Sequence, residues 1–490
     1  MRKRDSGPLC ITVIGASGDL ARKKIFPALF SLYCQELLPA EFRVFGFARS
    51  TMDDAGFRDL ITRHLTCRYT PGESVCAGRM RTFLERCFYV PGQYDSPDAF
   101  LDLYARSREL MPDGNVNRLF YMATPPSVFL DVAHALGAAG MVHCGMSKPW
   151  SRVVIEKPFG RDRESSDELV REMGNVFREA QTFRIDHYLG KEVIQNLMVL
   201  RFANRVFEPV WNREFIDSVQ ISWKEDLSVE GRGGYFDQYG IVRDVMQNHL
   251  LQILALVAME PASQLDAGHI CNEKIRVLRC IAPLAIEDIA LGQYSGGEWK
   301  GRREKGYLED EQVPGDSITP TFAAALLRVD NDRWRGVPFL IRAGKGLETR
   351  ETEIRLRFKT VDGPLFAGLP PGAPNELVIR VQPDESIRLH VMAKVPGMGM
   401  KLKRTELNLS YQDAFDELIP DAYESLLVDV IRGDKSLFIR KDELAAAWNI
   451  FTPVLQAIEA RGARLESYVF GSRGTTGAEA LAAKAGLKWE

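Results

Sequence analysis

Short apolar runs rich in β-branched residues alternate with amphipathic stretches through the first part of the chain. The runs are Leu9–Ile14, Phe42–Phe47, Arg118–Met122 and Val153–Ile155, and the helical patterns between them are Ala55–Leu65, Pro97–Leu110 and Pro126–Leu136. Buried strands that alternate with helices are typical of a parallel, doubly wound sheet. The sequence therefore predicts an α/β, Rossmann-like dinucleotide-binding domain over residues 1–185.

The pattern changes after about residue 190, and from Phe322 onward strands dominate. In Glu353–Lys359, apolar and polar residues alternate cleanly, which places the apolar residues on one face of a strand. Long alternating strands without intervening helices indicate an antiparallel sheet with one covered face. We therefore expect residues 186–490 to form an α+β domain with a large, mostly antiparallel sheet. A ligand often binds between two such domains.

Composition narrows the classes of function. Across 490 residues, 63 basic side chains nearly balance 66 acidic ones, for a net charge of −3. This balance argues against a nucleic-acid partner, so any phosphate must be bound by local basic clusters. The eight cysteines show no C-x-x-C spacing, which predicts reduced thiols. No secretory signal or membrane-spanning segment is evident. We expect a cytoplasmic protein without a membrane partner, and no metal site.

A glycine-containing loop follows the first predicted strand. It comprises Gly15, Ala16, Ser17, Gly18, Asp19, Leu20 and Ala21 and precedes a helical pattern. This is a G-x-x-G-x-x-A variant of the dinucleotide-binding fingerprint. Gly15 would allow the tight turn, Gly18 the close approach of a pyrophosphate, and Ala21 close packing of helix on sheet. The loop predicts a dinucleotide cofactor.

Arg49 follows the second predicted strand, where NAD enzymes usually carry an acid for the ribose 2′-hydroxyl. A guanidinium group suits a 2′-phosphate instead, so NADP is favoured over NAD. The alternative is that Arg49 is an ordinary surface arginine.

The segment Arg184–Lys191 places an acid, an imidazole, a phenol and an ammonium group just before an apolar helical run. His187 and Lys191 are four residues apart, so they share one face if the helix already begins there. A helix N-terminus with two basic side chains is suited to a phosphate group. A capped helix with a solvated first turn explains the pattern equally well.

His249 belongs to a helical segment that is apolar on several sides and is therefore expected to be buried. A core histidine with satisfied hydrogen bonds is the ordinary interpretation. Asp244 lies about 140° away on an ideal α-helix, so it cannot form a same-face pair with His249. If His249 is a base, Asp186 is a candidate partner. Lys157 ends a strand where cofactor and substrate meet in such sheets, and the Lys157–Pro158 bond is a candidate cis bond.

Seven segments together resemble the glucose-6-phosphate dehydrogenase family. They read GASGDLARKKIFP, EKPFG, RIDHYLGKE, NRVFEPVWN, GRGGYFDQYGIVRDVMQNHLLQ, IRAGKGL and NELVIRVQP. The order and spacing match from about residue 9 to beyond residue 470. The resemblance implies that NADP⁺ oxidises β-D-glucose 6-phosphate at C1, which gives 6-phosphoglucono-1,5-lactone and NADPH.

The resemblance also implies roles for individual residues. His249 would be the general base, and Asp186 would orient it. The 6-phosphate would be held by His187, Tyr188 and Lys191, the sugar by Glu225, Asp244, Lys345, Arg350 and Gln382, and both substrate and coenzyme by Lys157. The coenzyme residues would be Gly15, Ala16, Ser17, Gly18, Asp19, Leu20, Ala21, Arg22 and Arg49.

Members of this family form homodimers, often tetramers, through the sheet of the second domain. Some eukaryotic members bind a second, structural NADP⁺ there, and Arg355 and Arg380 match that site. Glu351 and His390, however, stand where those members carry lysines, so we do not expect a second NADP⁺ in this chain.

Two other functions share part of this sequence pattern. A sugar dehydrogenase similar to glucose-fructose oxidoreductase shares the Rossmann domain, the Glu-Lys-Pro triplet and a sheet domain. It would not explain the cluster His187–Lys191, and activity on unphosphorylated sugar would distinguish it. A non-enzymatic NADP-sensing protein would tolerate the loss of Asp186 or His249, yet the sequence contains both.

Overall fold

The structure is a computed structural model that describes residues 7–69, 72–112, 114–143, 145, 149–361, 373–461 and 465–489. The strands are β1 (Leu9–Ile14), β2 (Phe42–Ala48), β3 (Cys87–Pro91), β4 (Asn117–Met122), β5 (Ser151–Glu156), β6 (Thr182–Ile185), β7 (Ile216–Lys224), β8 (Ile289–Ser295), β9 (Gly297–Trp299), β10 (Arg302–Glu304), β11 (Phe322–Arg328), β12 (Pro338–Gly344), β13 (Glu351–Phe358), β14 (Glu376–Gln382), β15 (Ser386–Lys394), β16 (Leu402–Ser410), β17 (Phe438–Ile439) and β18 (Glu466–Val469).

The α-helices are α1 (Phe26–Cys34), α2 (Asp54–Thr62), α3 (Glu73–Leu84), α4 (Pro97–Leu110), α5 (Phe129–Ala138), α6 (Arg163–Gly174), α7 (Glu192–Phe202), α8 (Gly233–Ile241), α9 (Leu251–Ala258), α10 (Ala267–Arg279), α11 (Tyr411–Ala414), α12 (Ala422–Arg432), α13 (Lys441–Arg461) and α14 (Thr476–Lys484). Two further segments, Ala21–Ile25 and Val242–Leu250, are π-helical. None of the helices in the described ranges combines the length and the apolar character needed to cross a bilayer.

The first sheet has the order β17-β6-β5-β4-β1-β2-β3, and all its pairs are parallel except β17 with β6. The central strands β1 and β4 are buried along their whole length, which explains their continuous apolar runs. The predicted α/β, Rossmann-like domain is confirmed. The sequence patterns did not include the short strands β3, β6 and β17, although β3 has the apolar run Cys87–Val90. The last of them, β17, comes from far along the chain and pairs Phe438 with Ile185.

The second sheet has nine strands in the order β16-β15-β14-β13-β7-β12-β11-β8-β18. Its pairs are antiparallel except β7 with β12 and β8 with β18. In β13, Ile354 and Leu356 are fully buried while the residues between them are partly exposed, as the alternation predicted. The expected α+β domain with a large, mostly antiparallel sheet is therefore confirmed.

The prediction of reduced thiols is wrong for two of the eight cysteines. Cys67 and Cys76 form a disulfide, with their Cα atoms 5.9 Å apart. Nine residues separate them, a spacing that a search for C-x-x-C pairs does not find. Next to Cys67, Tyr69 donates a hydrogen bond to the buried carboxylate of Glu424 at 2.7 Å, so this loop of the first domain contacts helix α12.

Candidate active site

The coenzyme loop turns sharply where β1 ends. Gly15 has a φ of +87°, and a Cβ atom at this residue would lie 2.4 Å from the carbonyl oxygen of Ala123. A side chain therefore cannot fit, which is the physical reason for the glycine. Ala16 and Ala21 are fully buried against the sheet, and Ala21 begins the π-helical segment. The turn and the first residues of this helix lie where the sequence placed a dinucleotide.

The remaining coenzyme candidates surround this turn. Asp19 pairs with Arg22 and with Lys23, so it fixes two cations at the start of the helix. Ser17 Oγ lies 3.1 Å from Ser50 Oγ, beside the exposed Arg49 that follows β2. The structure thus brings the glycine loop and Arg49 together at the carboxyl edge of the first sheet. Of the other candidates, Gly18 lies in the same turn and Leu20 lies in the first helical residues after it.

The segment before α7 is not helical at His187. Residues 187–190 form turns and the helix begins at Glu192, directly after Lys191. The condition under which His187 and Lys191 would share one helix face is therefore not met. The cause is Asp186, whose Oδ1 atom accepts a hydrogen bond from the backbone N–H of Tyr188 at 3.0 Å. A carboxylate that bonds two residues ahead favours a turn over a helix.

His249 and Asp186 form a buried pair, with His249 Nδ1 2.5 Å from Asp186 Oδ1. Both side chains are at most 3% exposed. Burial lowers the pKa of His249 from its usual value, although the negative charge of Asp186 opposes this effect. Burial also works against the ionised form of Asp186. The adjacent His249 nevertheless lowers the pKa of Asp186 to about 2. The pair thus consists of a carboxylate and a neutral imidazole with Nε2 available.

The angle between Asp244 and His249 was predicted for an α-helix, but this segment winds differently. Val242–Leu250 is a π-helix, preceded by a kink at Gly240, where φ is +63°. Residues five apart face similar directions in a π-helix, whose hydrogen bonds link residues i and i+5. Asp244 nevertheless turns to Lys157, whose Nζ donates to Asp244 Oδ1 at 2.8 Å and to its carbonyl oxygen at 2.6 Å. Asp244 therefore pairs with Lys157 rather than with His249.

The Tyr188 ring lies against His249, with centroids 4.5 Å apart, and Lys191 Nζ lies 5.4 Å from the centre of the same ring. Its hydroxyl group is surrounded by protein partners. Trp223 Nε1 donates to it, Gln382 Nε2 donates at 3.0 Å, and Thr352 Oγ1 lies 3.2 Å away. These contacts occupy the donor and acceptor capacity of a phenol. Tyr188 therefore supports the His249 ring, and its contact with the phosphate stays a prediction.

The other substrate candidates are polar and charged side chains around the pair of His249 and Asp186. Lys345 Nζ donates to Glu225 Oε2 at 2.6 Å, and both side chains are largely buried. The exposed Arg350 lies close enough to Lys191 that its charge lowers the pKa of that lysine, in addition to the larger effect of burial. Only part of the His187 side chain reaches the surface. Its burial, followed by the charge of His249, lowers its pKa well below the usual value. All nine substrate candidates therefore belong to one cluster. The Lys157–Pro158 bond is cis.

Sequence reasoning missed a second layer of polar groups beneath this cluster. The carboxylate of Glu156 accepts a hydrogen bond from Tyr121 Oη at 2.5 Å, and burial raises the pKa of Glu156 to about 7. Tyr423, at the start of α12, lies parallel to the His187 ring at 6.1 Å. The Glu-Lys-Pro triplet could have indicated Glu156. No local pattern indicated Tyr423, because its place in the site depends on the packing of α12 across the domains.

Two further sets of residues are of the kinds that bind a metal ion or a second coenzyme. Among the described residues, Asp186, His187 and His249 hold nitrogen and oxygen atoms within 4.8 Å of one another, but Asp186 and His249 already bind each other. In the second sheet, Arg355 pairs with Glu353 and Glu376 at 2.8 and 2.7 Å, and Arg380 lies 3.4 Å from Glu351 and from Glu353. The residues that match the structural NADP⁺ site are thus balanced by carboxylates.

A parallel sheet with a glycine turn, joined to a second domain that contributes a buried His–Asp pair, defines a two-domain dehydrogenase dependent on a nicotinamide dinucleotide. Comparison with known proteins identifies the family. The description "Glucose-6-phosphate dehydrogenase, NAD binding domain" matches residues 12–196, and "Glucose-6-phosphate dehydrogenase, C-terminal domain" matches residues 198–490. The chain belongs to the glucose-6-phosphate dehydrogenase family.

Individual relatives agree over nearly the full length. Glucose-6-phosphate 1-dehydrogenase 1, chloroplastic, of Arabidopsis thaliana is 52% identical over 485 residues, which cover 98% of this chain and 83% of the relative. The chloroplastic enzyme of Spinacia oleracea is 51% identical and covers 99% of this chain and 84% of its own. A solved glucose-6-phosphate dehydrogenase in complex with glucose-6-phosphate is 40% identical, covers both chains fully and has a TM-score of 0.92.

The comparison corrects the expected location. The sequence predicted a cytoplasmic protein, but the relatives at 51–52% identity are chloroplastic. Two cytoplasmic relatives from Arabidopsis thaliana reach only 46% identity. These relatives show that the prediction of a cytoplasmic location is wrong. It was based on reduced thiols and on the absence of a signal, and neither feature separates the cytoplasm from the chloroplast.

Proposed function

We propose that the protein oxidises D-glucose 6-phosphate at C1 with NADP⁺ to give 6-phospho-D-glucono-1,5-lactone and NADPH. One observation carries this proposal. The buried pair of His249 and Asp186 lies beside the cations Lys157 and Lys191, at the boundary between the two domains. The family membership of the chain and the relative solved with glucose-6-phosphate support the same reaction.

The geometry suits removal of a proton together with a hydride. NADP⁺ supplies the hydride acceptor when it is bound at the glycine turn. Asp186 holds Nδ1 of His249 as the donor, which leaves Nε2 to take the C1 hydroxyl proton. As that proton arrives, the imidazole becomes a cation, and the adjacent carboxylate of Asp186 stabilises it in a site with little water. The C1 carbon is left as a carbonyl, which is the lactone.

Lys191 and His187 account for selectivity toward a phosphorylated sugar in this proposal. The ammonium group of Lys191 and an N–H group of the neutral His187 imidazole would bind the 6-phosphate and thereby fix the distance from the phosphate to C1. Lys157 and Asp244 neutralise each other, and so do Lys345 and Glu225, so these pairs offer hydrogen bonds to sugar hydroxyls without a net charge. Anchoring both ends of the substrate orients C1 for transfer.

The deciding experiment measures the absorbance of reduced nicotinamide with glucose 6-phosphate and either NADP⁺ or NAD⁺. We expect a signal with glucose 6-phosphate and NADP⁺. Activity with unphosphorylated glucose at comparable kcat/KM would favour the glucose-fructose-oxidoreductase-like alternative. The absence of any signal with either coenzyme would remove the proposal.

Lys191→Ala and His187→Asn should raise KM for glucose 6-phosphate by about 10- to 100-fold, as expected for lost hydrogen bonds to a charged group. Because neither residue contacts the reacting carbon in this proposal, kcat should change only a few-fold. Steady-state kinetics at saturating NADP⁺ measure both values. Lys484→Ala, at an exposed lysine paired with Asp288 at 2.7 Å, is the matched control. A fall in kcat with an unchanged KM would contradict the phosphate assignment.

We infer further that a second copy of this chain covers the edge of the second sheet, as in a homodimer or a homotetramer. Strand β16 is exposed along nearly its whole length, and Leu407 and Leu409 on one of its faces are 60% and 39% exposed. An exposed edge strand with apolar side chains favours pairing with another chain.

Light scattering should give a dimer or tetramer mass, and the double change of Leu407 and Leu409 to glutamate should lower it. Leu265→Glu, at an isolated leucine that is 85% exposed, should not.

A further inference from the structure

Arg49, the residue expected to bind the 2′-phosphate of NADP, lies just after the end of β2. Its side chain is exposed, and a long side chain in solvent samples many conformations. Ordering such a side chain on binding lowers affinity. A contact that holds Arg49 in place before the coenzyme arrives would therefore strengthen recognition of the 2′-phosphate.

The backbone on both sides of Arg49 is held by one phenol. Tyr89 Oη donates a hydrogen bond to the carbonyl oxygen of Ser50 at 2.6 Å and lies 3.2 Å from that of Ala48. Tyr89 is only 1% exposed, and its backbone N–H donates to Asp54 Oδ1 at 2.7 Å. The hydroxyl therefore fixes the two peptide carbonyls that flank Arg49 from a rigid position on β3.

The side chain of Arg49 is held by a second phenol. Its Cζ atom lies 5.3 Å from the centre of the Tyr94 ring, within the range of a cation–π contact. Tyr94 is nearly buried and packs on Phe47, with ring centroids 6.3 Å apart. The chain reaches this position through Gly92, where a Cβ atom would lie 2.6 Å from the Phe47 ring. The ring of Tyr94 is therefore a fixed surface under the guanidinium group.

Both phenols hold Arg49 without neutralising it. Burial raises the pKa of Tyr94, so the hydroxyl stays protonated in the physiological range. A carboxylate in the same place would pair with Arg49 and weaken its attraction for a phosphate. A neutral aromatic ring leaves the full positive charge available.

We propose that Tyr89 and Tyr94 are positioning residues that hold Arg49 for the coenzyme 2′-phosphate and so set the preference for NADP over NAD. The inference rests on the proposed function, because it assumes that Arg49 binds NADP. It adds two residues that contact Arg49 rather than the reacting atoms.

Tyr94→Leu should weaken binding of 2′,5′-ADP by about 2- to 5-fold, the loss expected for one cation–π contact. Binding of 5′-AMP, which lacks the 2′-phosphate, should stay within experimental error. Isothermal titration calorimetry on the full-length protein measures both. Tyr94→Phe keeps the ring but removes the hydroxyl group, which also contacts Arg49, so it should recover most but not all of the lost affinity. Tyr104→Leu is the matched control, because the Tyr104 ring lies 4.6 Å from the Arg118 guanidinium near the amino end of β4.

Tyr89→Phe removes only the hydroxyl and should weaken 2′,5′-ADP by about 2- to 10-fold, the range for one lost hydrogen bond. Again, 5′-AMP should be unaffected. Equal weakening of both ligands by Tyr94→Leu and Tyr89→Phe would show a general structural role and overturn the proposal. So would unchanged binding of both.

Arg49→Ala separates failure of this inference from failure of the proposed function. If Arg49→Ala weakens 2′,5′-ADP strongly but the tyrosine variants do not, the positioning role is wrong and NADP recognition by Arg49 stands. If Arg49→Ala has no effect on 2′,5′-ADP, the coenzyme assignment itself is wrong. In that case the positioning role falls with it.

Discussion

Replacing His249 by asparagine should lower kcat by about 10²- to 10⁴-fold, the usual contribution of a positioned general base. Asparagine has a similar volume and can still donate a hydrogen bond to Asp186, so the buried carboxylate keeps a partner and the fold should persist. Glucose 6-phosphate should still bind, because Lys191 and His187, proposed to hold its phosphate, are unchanged. Steady-state kinetics give kcat, and calorimetry gives the dissociation constant of the substrate.

The chain offers a matched control for this change. His269 Nδ1 lies 2.7 Å from Asp266 Oδ2, so this is a second His–Asp pair, but it is about 40% exposed and lies at the start of α10. His269→Asn should leave kcat unchanged. If His249→Asn retains nearly full turnover, His249 is not the base. If substrate binding is lost as well, His249 also belongs to the binding surface.

Asp186→Asn should have the second largest effect, a fall in kcat of about 10²-fold and up to 10⁴-fold. Asp186 Oδ2 has no hydrogen-bond partner among the described residues, so an amide group can take its place without displacing a donor. The turn bond from Tyr188 can also be kept, because the amide oxygen still accepts. What is lost is the negative charge that stabilises the imidazolium of His249. Asp266→Asn, in the exposed pair, should have no effect on turnover.

The same variant should shift the pH dependence in a defined direction. The base acts in its neutral form, so activity is present above the pKa of His249 and is lost as the pH falls through it. Burial lowers this pKa, whereas the charge of Asp186 raises it. Removing that charge should lower the pKa further, so the acid limb of the kcat profile should move to lower pH. The substrate phosphate ionises equally in both proteins, so the difference between the two profiles reports on His249. A shift to higher pH would contradict the dyad.

The sequence predicted the two-domain architecture because both sheets have strong patterns. The continuous apolar run of β1 and the alternation in β13 correspond to burial on two faces and on one face. The strands β6 and β17 are only four and two residues long, too short for either pattern to stand out, whereas the apolar run of β3 was overlooked. The disulfide of Cys67 and Cys76 also lay outside prediction, because loop geometry rather than spacing brings two cysteines together.

Within the site, the candidate residues cluster, but their local geometry differs from expectation. The prediction for the helix of His249 assumed the α-helical period of about 3.6 residues per turn. The π-helical winding there changes the angles between its side chains. The turn at His187 forms because Asp186 bonds to the backbone of Tyr188, a contact that competes with the helix. Tyr188 was expected to bind phosphate, yet its hydroxyl has three protein neighbours that only the tertiary structure shows.

The pairing of β17 with β6 has a consequence for how the protein is made. Strand β6 is complete once residue 185 has been synthesised, but its partner β17 follows only at residue 438. Until then the edge of the coenzyme sheet has unpaired backbone groups, which favour association with other chains. Trp448 then adds a buried hydrogen bond to the carbonyl oxygen of Phe159 at 3.1 Å. In the nascent chain this edge of the coenzyme-binding domain therefore stays uncovered until only about the last tenth of the sequence remains to be made.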